Sequence, residues 1–168
     1  PTIIFGPEHG YRGEAQDMED VGDLPLDPRL GVPVHSLYGA TFESLTPRRE
    51  QLQDLDALVI DLQDVGARYY TFVWTMALCM EAAGKVGVRV LVCDRPNPID
   101  GLTTEGNLIK PGFESFVGLH PLPNRHGLTP GEIARYVQQR RGVQCELEVV
   151  PMRGWRREMH FEDTGLPW

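Results

Sequence analysis

Cysteine is scarce in this sequence, and its few copies are scattered. The chain of 168 residues holds 3 cysteines, too few for a disulfide framework. Cys79 and Cys93 lie in apolar runs and Cys145 starts one, so they read as buried small hydrophobes, with room for at most one disulfide. No Cys-x-x-Cys occurs and no His pair has zinc spacing. Positive charge is short too: 16 Lys and Arg stand against 24 Asp and Glu, a formal net charge of -8. That balance offers no electrostatic footprint to a nucleic-acid backbone or an anionic membrane. No stretch is apolar and long enough to span a bilayer. Several signatures are also missing. No Gly-x-Gly-x-x-Gly follows an apolar run, which disfavours a dinucleotide. Gly84-Lys85 lacks the upstream Gly and the following Ser or Thr of a P-loop. No Gly-x-Ser-x-Gly elbow supplies an α/β-hydrolase nucleophile.

What is present is the composition of one globular domain, 41% hydrophobic and 24% charged. Short runs rich in Val, Ile and Leu alternate with helical stretches. Residues 3–5, 57–60 and 88–93 suit strands buried on both faces of a parallel sheet, and 34–38 and 147–150 are weaker strand candidates. Val73, Met76, Ala77, Met80 and Ala83 recur at helical spacing, predicting a helix over 71–86 with one buried stripe, stopped by Gly84 and Gly87. Thr129, Pro130 and Glu132 form a capping box for a helix running to Arg141 and ending at Gly142. A shorter helix is expected over 46–55. The order strand, helix, strand implies right-handed crossovers and an open, Rossmann-like parallel sheet with flanking helices. Pro-rich loops cover 22–33 and 96–123; the latter is long enough to suggest a function. The chain opens on a strand already under way and stops without a clear terminal element, so residues 1–168 read as a fragment of a longer protein.

Ligands of an open α/β sheet bind beyond the carboxyl ends of the strands. Those ends deliver Glu8, His9, Asp61, Asp64, Arg68, Asp94 and Arg95 to one rim. Singly, each aspartate has a plain alternative as a helix cap or as a partner of Arg68 or Arg95. As a cluster they point to function. Glycoside hydrolysis needs one acid to protonate the leaving oxygen and a second group to activate water or attack carbon. Glu8 sits in a Gly-bounded turn and Glu105 in the long loop, neither of them on a helix face.

These residues also carry a resemblance. Pro7-Glu8-His9-Gly10 with Arg12-Gly13, Ser36-Leu37-Tyr38-Gly39, the run from Asp61 to Thr71, Asp94-Arg95-Pro96-Asn97-Pro98, Ser115-Phe116-Val117-Gly118-Leu119, Arg125-His126-Gly127, Gly154-Trp155-Arg156-Arg157 and Thr164-Gly165-Leu166-Pro167-Trp168 follow one another in family order. Together they resemble a bacterial family once known only as a domain of unknown function (DUF1343), which includes peptidoglycan exo-β-N-acetylmuramidases. The similarity covers essentially the whole chain. It implies a Rossmann-like catalytic domain, with an earlier βα unit before Ile3 and a smaller second domain after Trp168 that closes the active-site cleft. It further implies removal of terminal N-acetylmuramic acid from peptidoglycan fragments such as MurNAc-GlcNAc, no cofactor or metal, and export to the periplasm or cell surface. By resemblance Glu8 and Glu105 are the catalytic pair, and His9, Arg12, Asp64, Arg68, Tyr70, Asp94, Arg95, Asn97 and His126 shape the pocket. Arg12, Arg68 and Arg95 are candidate partners for the lactyl carboxylate of muramic acid, since a guanidinium fork matches a carboxylate. Tyr70 or Trp155 are candidates to stack on a sugar ring. The family usually has Gly-Gly after the Asn-Pro turn and Pro after Glu-Gly; here Ile99-Asp100-Gly101 and Asn107 stand there, flanking Glu105.

Two other readings compete. Asp61, Asp64 and Asp94 at strand ends are candidate Mg²⁺ ligands for phosphoester chemistry. One lobe of a non-catalytic sugar-binding protein would also show polar strand ends.

Overall fold

The apolar runs become five short parallel strands in a computed structural model that describes every residue except 14, 17, 18 and 20. β1 (Ile4–Gly6) pairs with β2 (Val34–Ser36), and β3 (Ala57–Ile60) pairs with β4 (Arg89–Cys93), which pairs with β5 (Leu147–Val150). The fold is α/β with parallel sheets and flanking helices, as the alternating pattern predicts. The expected single sheet is instead two, in the orders β1-β2 and β3-β4-β5, with no pairing between β1 and β3 among the described residues. Their facing edges border an apolar cavity of 510 Å³, lined among others by Ile4, Phe5, Leu58 and Ile60, with Thr75 and Cys79 behind.

Three helices pack around the second sheet: α1 (Arg49–Leu52), α2 (Phe72–Val86) and α3 (Pro130–Arg141). A 3₁₀ turn at Phe42–Leu45 and the four-residue α1 replace the longer helix expected over 46–55. α2 is the centre of the core. Ten of its residues, from Val73 to Ala83, are buried, so its apolar surface is far wider than a single stripe. The cause is its position, against β4, α1 and α3 at once. Gly84 is not a stop signal. It lies within the helix, where a Cβ would fall 1.7 Å from the carbonyl oxygen of Gln144. Only Gly87, at φ +75°, ends α2 in the left-handed conformation that favours glycine. α3 follows the sequence reading. Thr129 accepts from the Glu132 amide, the Glu132 side chain returns to the Thr129 amide, and Gly142 closes the helix.

The strands are not buried on both faces. Leu58, Ile60, Val90 and Val92 point into the core under α2 and α3, but Val59 is 61% exposed and β5 alternates. The described helices that contact this sheet pack against β4 and β5 on the core side, and the other face carries solvent-exposed side chains. No helix among the described residues is long and apolar enough to cross a membrane. All three cysteines are free, and burial pushes the Cys79 thiol up to about 12.

Candidate active site

The carboxyl ends of β1 and β3 and the start of α2 bring Glu8, Asp64, Tyr70 and Thr71 into one neighbourhood. After β1 the chain turns sharply: His9 at φ +72° and Gly10 at φ +80° are both left-handed. Gly6 allows this return, because a Cβ there would meet the Tyr11 amide nitrogen at 2.9 Å. The turn leaves Glu8 only 7% exposed. Its Oε2 accepts a 2.6 Å hydrogen bond from the hydroxyl of Thr71, itself 4% exposed.

Asp64 is 1% exposed. Its Oδ2 accepts from the Gly66 amide at 2.7 Å, and no described protein group hydrogen-bonds Oδ1. Gly66 is fixed by packing as well as by φ +82°, since a Cβ would lie 2.6 Å from Asn97 Oδ1. The Nε2 of buried His126 stands 3.2 Å from Asp64 Oδ2 without the alignment of a full hydrogen bond. The other ring nitrogen, Nδ1, accepts from the Leu128 amide at 3.1 Å. The ring proton therefore sits on Nε2, facing Asp64. Tyr70 links the group to the surface. Its ring packs 4.6 Å from Phe72 and stacks on His9 at 6.0 Å. Partial burial, then the charges of Asp64 and Glu8, push its phenol pKa up, so it stays neutral and able to donate.

His9 and Tyr70 border a cleft of 790 Å³, together with Asp61, Gln63, Arg95 and, on the far side, Phe161 and Trp168. Phe161 and Trp168 meet edge to face at 4.7 Å. Arg95 grips Asp61 through both Nε (2.6 Å) and Nη2 (2.8 Å), and this pairing raises the Arg95 pKa further.

The other predicted residues do not line this cleft. Glu105 is on the surface of the long loop, where its backbone bridges Arg125 and its side chain accepts from Arg125 Nη1 at 3.1 Å. Arg125 also binds Asp100 at 2.8 Å and the Ile99 carbonyl. Sequence reasoning named His126 and passed over Arg125. The available signal was their adjacency: in an extended segment neighbours point opposite ways, so a buried His126 turns Arg125 toward Glu105. Arg12 is paired with buried Asp27. Arg68 holds the carbonyls of Asn107 and Leu122, tying the middle of the long loop to its end. Asp94 and Asn97 both make hydrogen bonds that hold neighbouring backbone in place. Asp94 caps α3 through the Gly131 amide (2.8 Å) and the Thr129 hydroxyl (3.1 Å). Asn97 is wholly buried and uses both ends of its amide, on the Leu128 carbonyl and the Ile99 amide. Trp155 packs over Gly101, where a Cβ would meet its ring at 2.7 Å.

The aspartates proposed for Mg²⁺ do not converge. Asp61 faces Arg95, Asp94 faces α3, and Asp64 faces His126. Among the described residues no group of acids, histidines or cysteines is arranged to hold a metal ion.

Comparison with known proteins identifies the family of this chain. A family model described as the N-terminal part of the exo-β-N-acetylmuramidase NamZ matches residues 1–168. The peptidoglycan β-N-acetylmuramidase NamZ of Bacillus subtilis (strain 168) is 47% identical over 167 residues, covering 99% of this chain and 39% of that protein. Two crystal structures of DUF1343 family proteins from Bacteroides fragilis NCTC 9343 superpose with TM-scores of 0.88 and 0.79, at 41% and 32% identity. They are matched over 99% and 95% of this chain, and 41% of each of theirs. The chain thus spans about two fifths of the length of these relatives.

Proposed function

Because the chain belongs to the family of the NamZ N-terminal domain, we propose that it is the catalytic part of a glycoside hydrolase. The substrate of this reading is a terminal β-N-acetylmuramic acid at the non-reducing end of a peptidoglycan fragment. The observation that carries it is Glu8: a shielded carboxyl held by Thr71 at the carboxyl end of a parallel strand, where α/β folds place their chemistry.

Glycosidases work with two carboxyl groups in unlike surroundings, a shielded one to give a proton and a solvated one to act as an anion. Glu8 and Glu105 differ in that sense. Glu8 is the proton donor to the glycosidic oxygen. Glu105, 65% exposed at its side chain and paired with Arg125, is the anion that acts on the anomeric carbon, directly or through a water. The neutral Tyr70 phenol and the stacked His9 line the cleft. Arg95, which lines the cleft and is held by Asp61 through Nε and Nη2, is our candidate partner for the lactyl carboxylate through its remaining N–H groups.

The apolar slot between β1 and β3 bears on how the domain is completed. We infer that a further parallel strand from the longer polypeptide fills it. Ile4 donates to β2 and the Gly6 carbonyl accepts from it, so the Phe5 peptide groups face the slot. Val90 donates to β5, so Leu91 bonds to Leu58 and Ile60, and the Val59 groups also face the slot. The buried Thr75 hydroxyl in the slot wall has no hydrogen-bond partner among the described residues. Hydrogen exchange on the full-length protein tests this: slow exchange at Phe5 and Val59 is expected, and loop-like exchange at both refutes it.

The function is tested by release of 4-nitrophenol from 4-nitrophenyl β-N-acetylmuramide by the full-length protein, beside the N-acetylglucosaminide. Turnover of the muramide alone is expected. No turnover of either by a folded protein would favour a sugar-binding lobe.

A further inference from the structure

Thr71 stands at the N-cap of α2, where a threonine ordinarily turns its hydroxyl onto the first free amides of the helix. Here it makes no side-chain cap bond. Its backbone carbonyl starts the helix by accepting from Trp74 and Thr75, and its hydroxyl goes to Glu8, 63 residues away in sequence. A local rule is set aside in favour of one contact with a buried carboxyl, and such departures gather at functional sites.

We propose that Thr71 is a positioning residue for proton donation by Glu8, an inference that rests on the glycosidase reading above. The hydroxyl donates to Oε2, which makes Oε2 the carbonyl oxygen of the neutral acid and leaves the proton on Oε1. In the reaction the Oε1–H bond breaks, the proton passes to the glycosidic oxygen, and the bond from that oxygen to the anomeric carbon breaks as Glu105, or a water it activates, forms a new bond to that carbon. The released alcohol keeps the proton, and Glu8 is left as a carboxylate. At that point the Thr71 hydroxyl donates to an anion, and a charge-assisted bond is stronger than the neutral one it replaces. The contact therefore stabilises the transition state more than the ground state, which is the condition for raising kcat rather than lowering KM.

Help with protonation matters when the leaving group is a sugar alcohol and little when it is 4-nitrophenolate, which departs without a proton. The experiment uses the full-length protein with Thr71→Val, Thr71→Ala and Thr71→Ser, each checked by thermal melting, and Glu8→Gln as reference. Substrates are the disaccharide MurNAc-GlcNAc and 4-nitrophenyl β-N-acetylmuramide. Removing the hydroxyl by Val or Ala is expected to lower kcat on the disaccharide about 10- to 100-fold, with KM within about twofold. The same variants keep kcat on the nitrophenyl glycoside within about threefold, and Ser restores both substrates. A merely structural role would lower both substrates together, and that result, or failure of Ser to restore, overturns the proposal. Two arms separate it from the reading on which it rests. Full disaccharide turnover by Glu8→Gln would sink the assignment of Glu8, and Thr71 with it. Loss of turnover in Glu8→Gln with unchanged turnover in Thr71→Val and Thr71→Ala would sink Thr71 alone.

Discussion

Two groups of acids stand on either side of the segment carrying Arg125 and His126, and they are treated in opposite ways. On the His126 side, Glu8 and Asp64 are buried and, among the described residues, face no arginine; a hydroxyl, an amide and an imidazole satisfy them in part. On the Arg125 side, Glu105 and Asp100 share one guanidinium; away from this segment, Asp61 and Asp27 have arginines of their own. An arginine-paired carboxylate is settled as an anion. A buried carboxyl held by neutral donors can take up and release a proton, at the cost of an incompletely satisfied site. The two groups thus differ in their partners, arginines on one side and a hydroxyl, an amide and an imidazole on the other. Glu105 shares both traits, since it is tied to Arg125 and is also the most solvated of the candidates.

Substitutions can break that contrast. Glu8→Gln is expected to have the largest effect, a fall of about 10³-fold in kcat on the disaccharide, within the usual range for removing a general acid. Glu105→Gln comes next, at about 10²-fold, and it lowers nitrophenyl and disaccharide turnover alike because the anionic role does not depend on the leaving group. Asp64→Asn presents an amide N–H to the His126 Nε2–H or abandons the Gly66 amide. Chemical denaturation should show a loss of about 1–3 kcal/mol, as for a disrupted buried hydrogen bond. By contrast Asp61→Asn breaks a pair exposed on both sides and should cost under about 1 kcal/mol in the same measurement. The smallest effect is a sharpening at low pH. The Thr103 amide holds the Asp100 carboxyl below its usual range against opposing burial, with help from Leu102, the Thr103 hydroxyl and Arg125. A depressed pKa contributes stability that is present above the unfolded value of about 3.9 and is lost as pH falls through the folded one. Denaturation midpoints from pH 7 to 3 should therefore fall less steeply in Asp100→Asn than in the parent protein.

Sequence and structure agree best where cause and effect are local. The capping box at Thr129 and Glu132 and the glycine after Arg141 are all within one helix, and α3 appears where they place it. The carboxyl ends of β1, β3 and β4 carry the polar residues the apolar runs predicted, including Glu8 and Asp64. Agreement is poorer where the partner is distant. Gly84 resembles a helix stop until the Gln144 carbonyl is seen against it. Asp94 and Asn97 stand at a strand end, as ligand-binding residues do, yet the backbone groups they bind come from residues 128–131 and 99. The pairing of Asp61 with Arg95 is one of the plain alternatives the sequence offers, although 34 residues separate them; Thr71 reaches Glu8 across 63 residues, a contact with no spacing to read.

The central claim is that Glu8 gives the proton while Glu105 serves as the anion. The most direct test is the ratio of kcat on 4-nitrophenyl β-N-acetylmuramide to kcat on MurNAc-GlcNAc, measured for full-length Glu8→Gln and Glu105→Gln side by side. The account predicts that this ratio rises steeply for Glu8→Gln and stays at the parent value for Glu105→Gln. An unchanged ratio for Glu8→Gln, or a rise for Glu105→Gln instead, would contradict it.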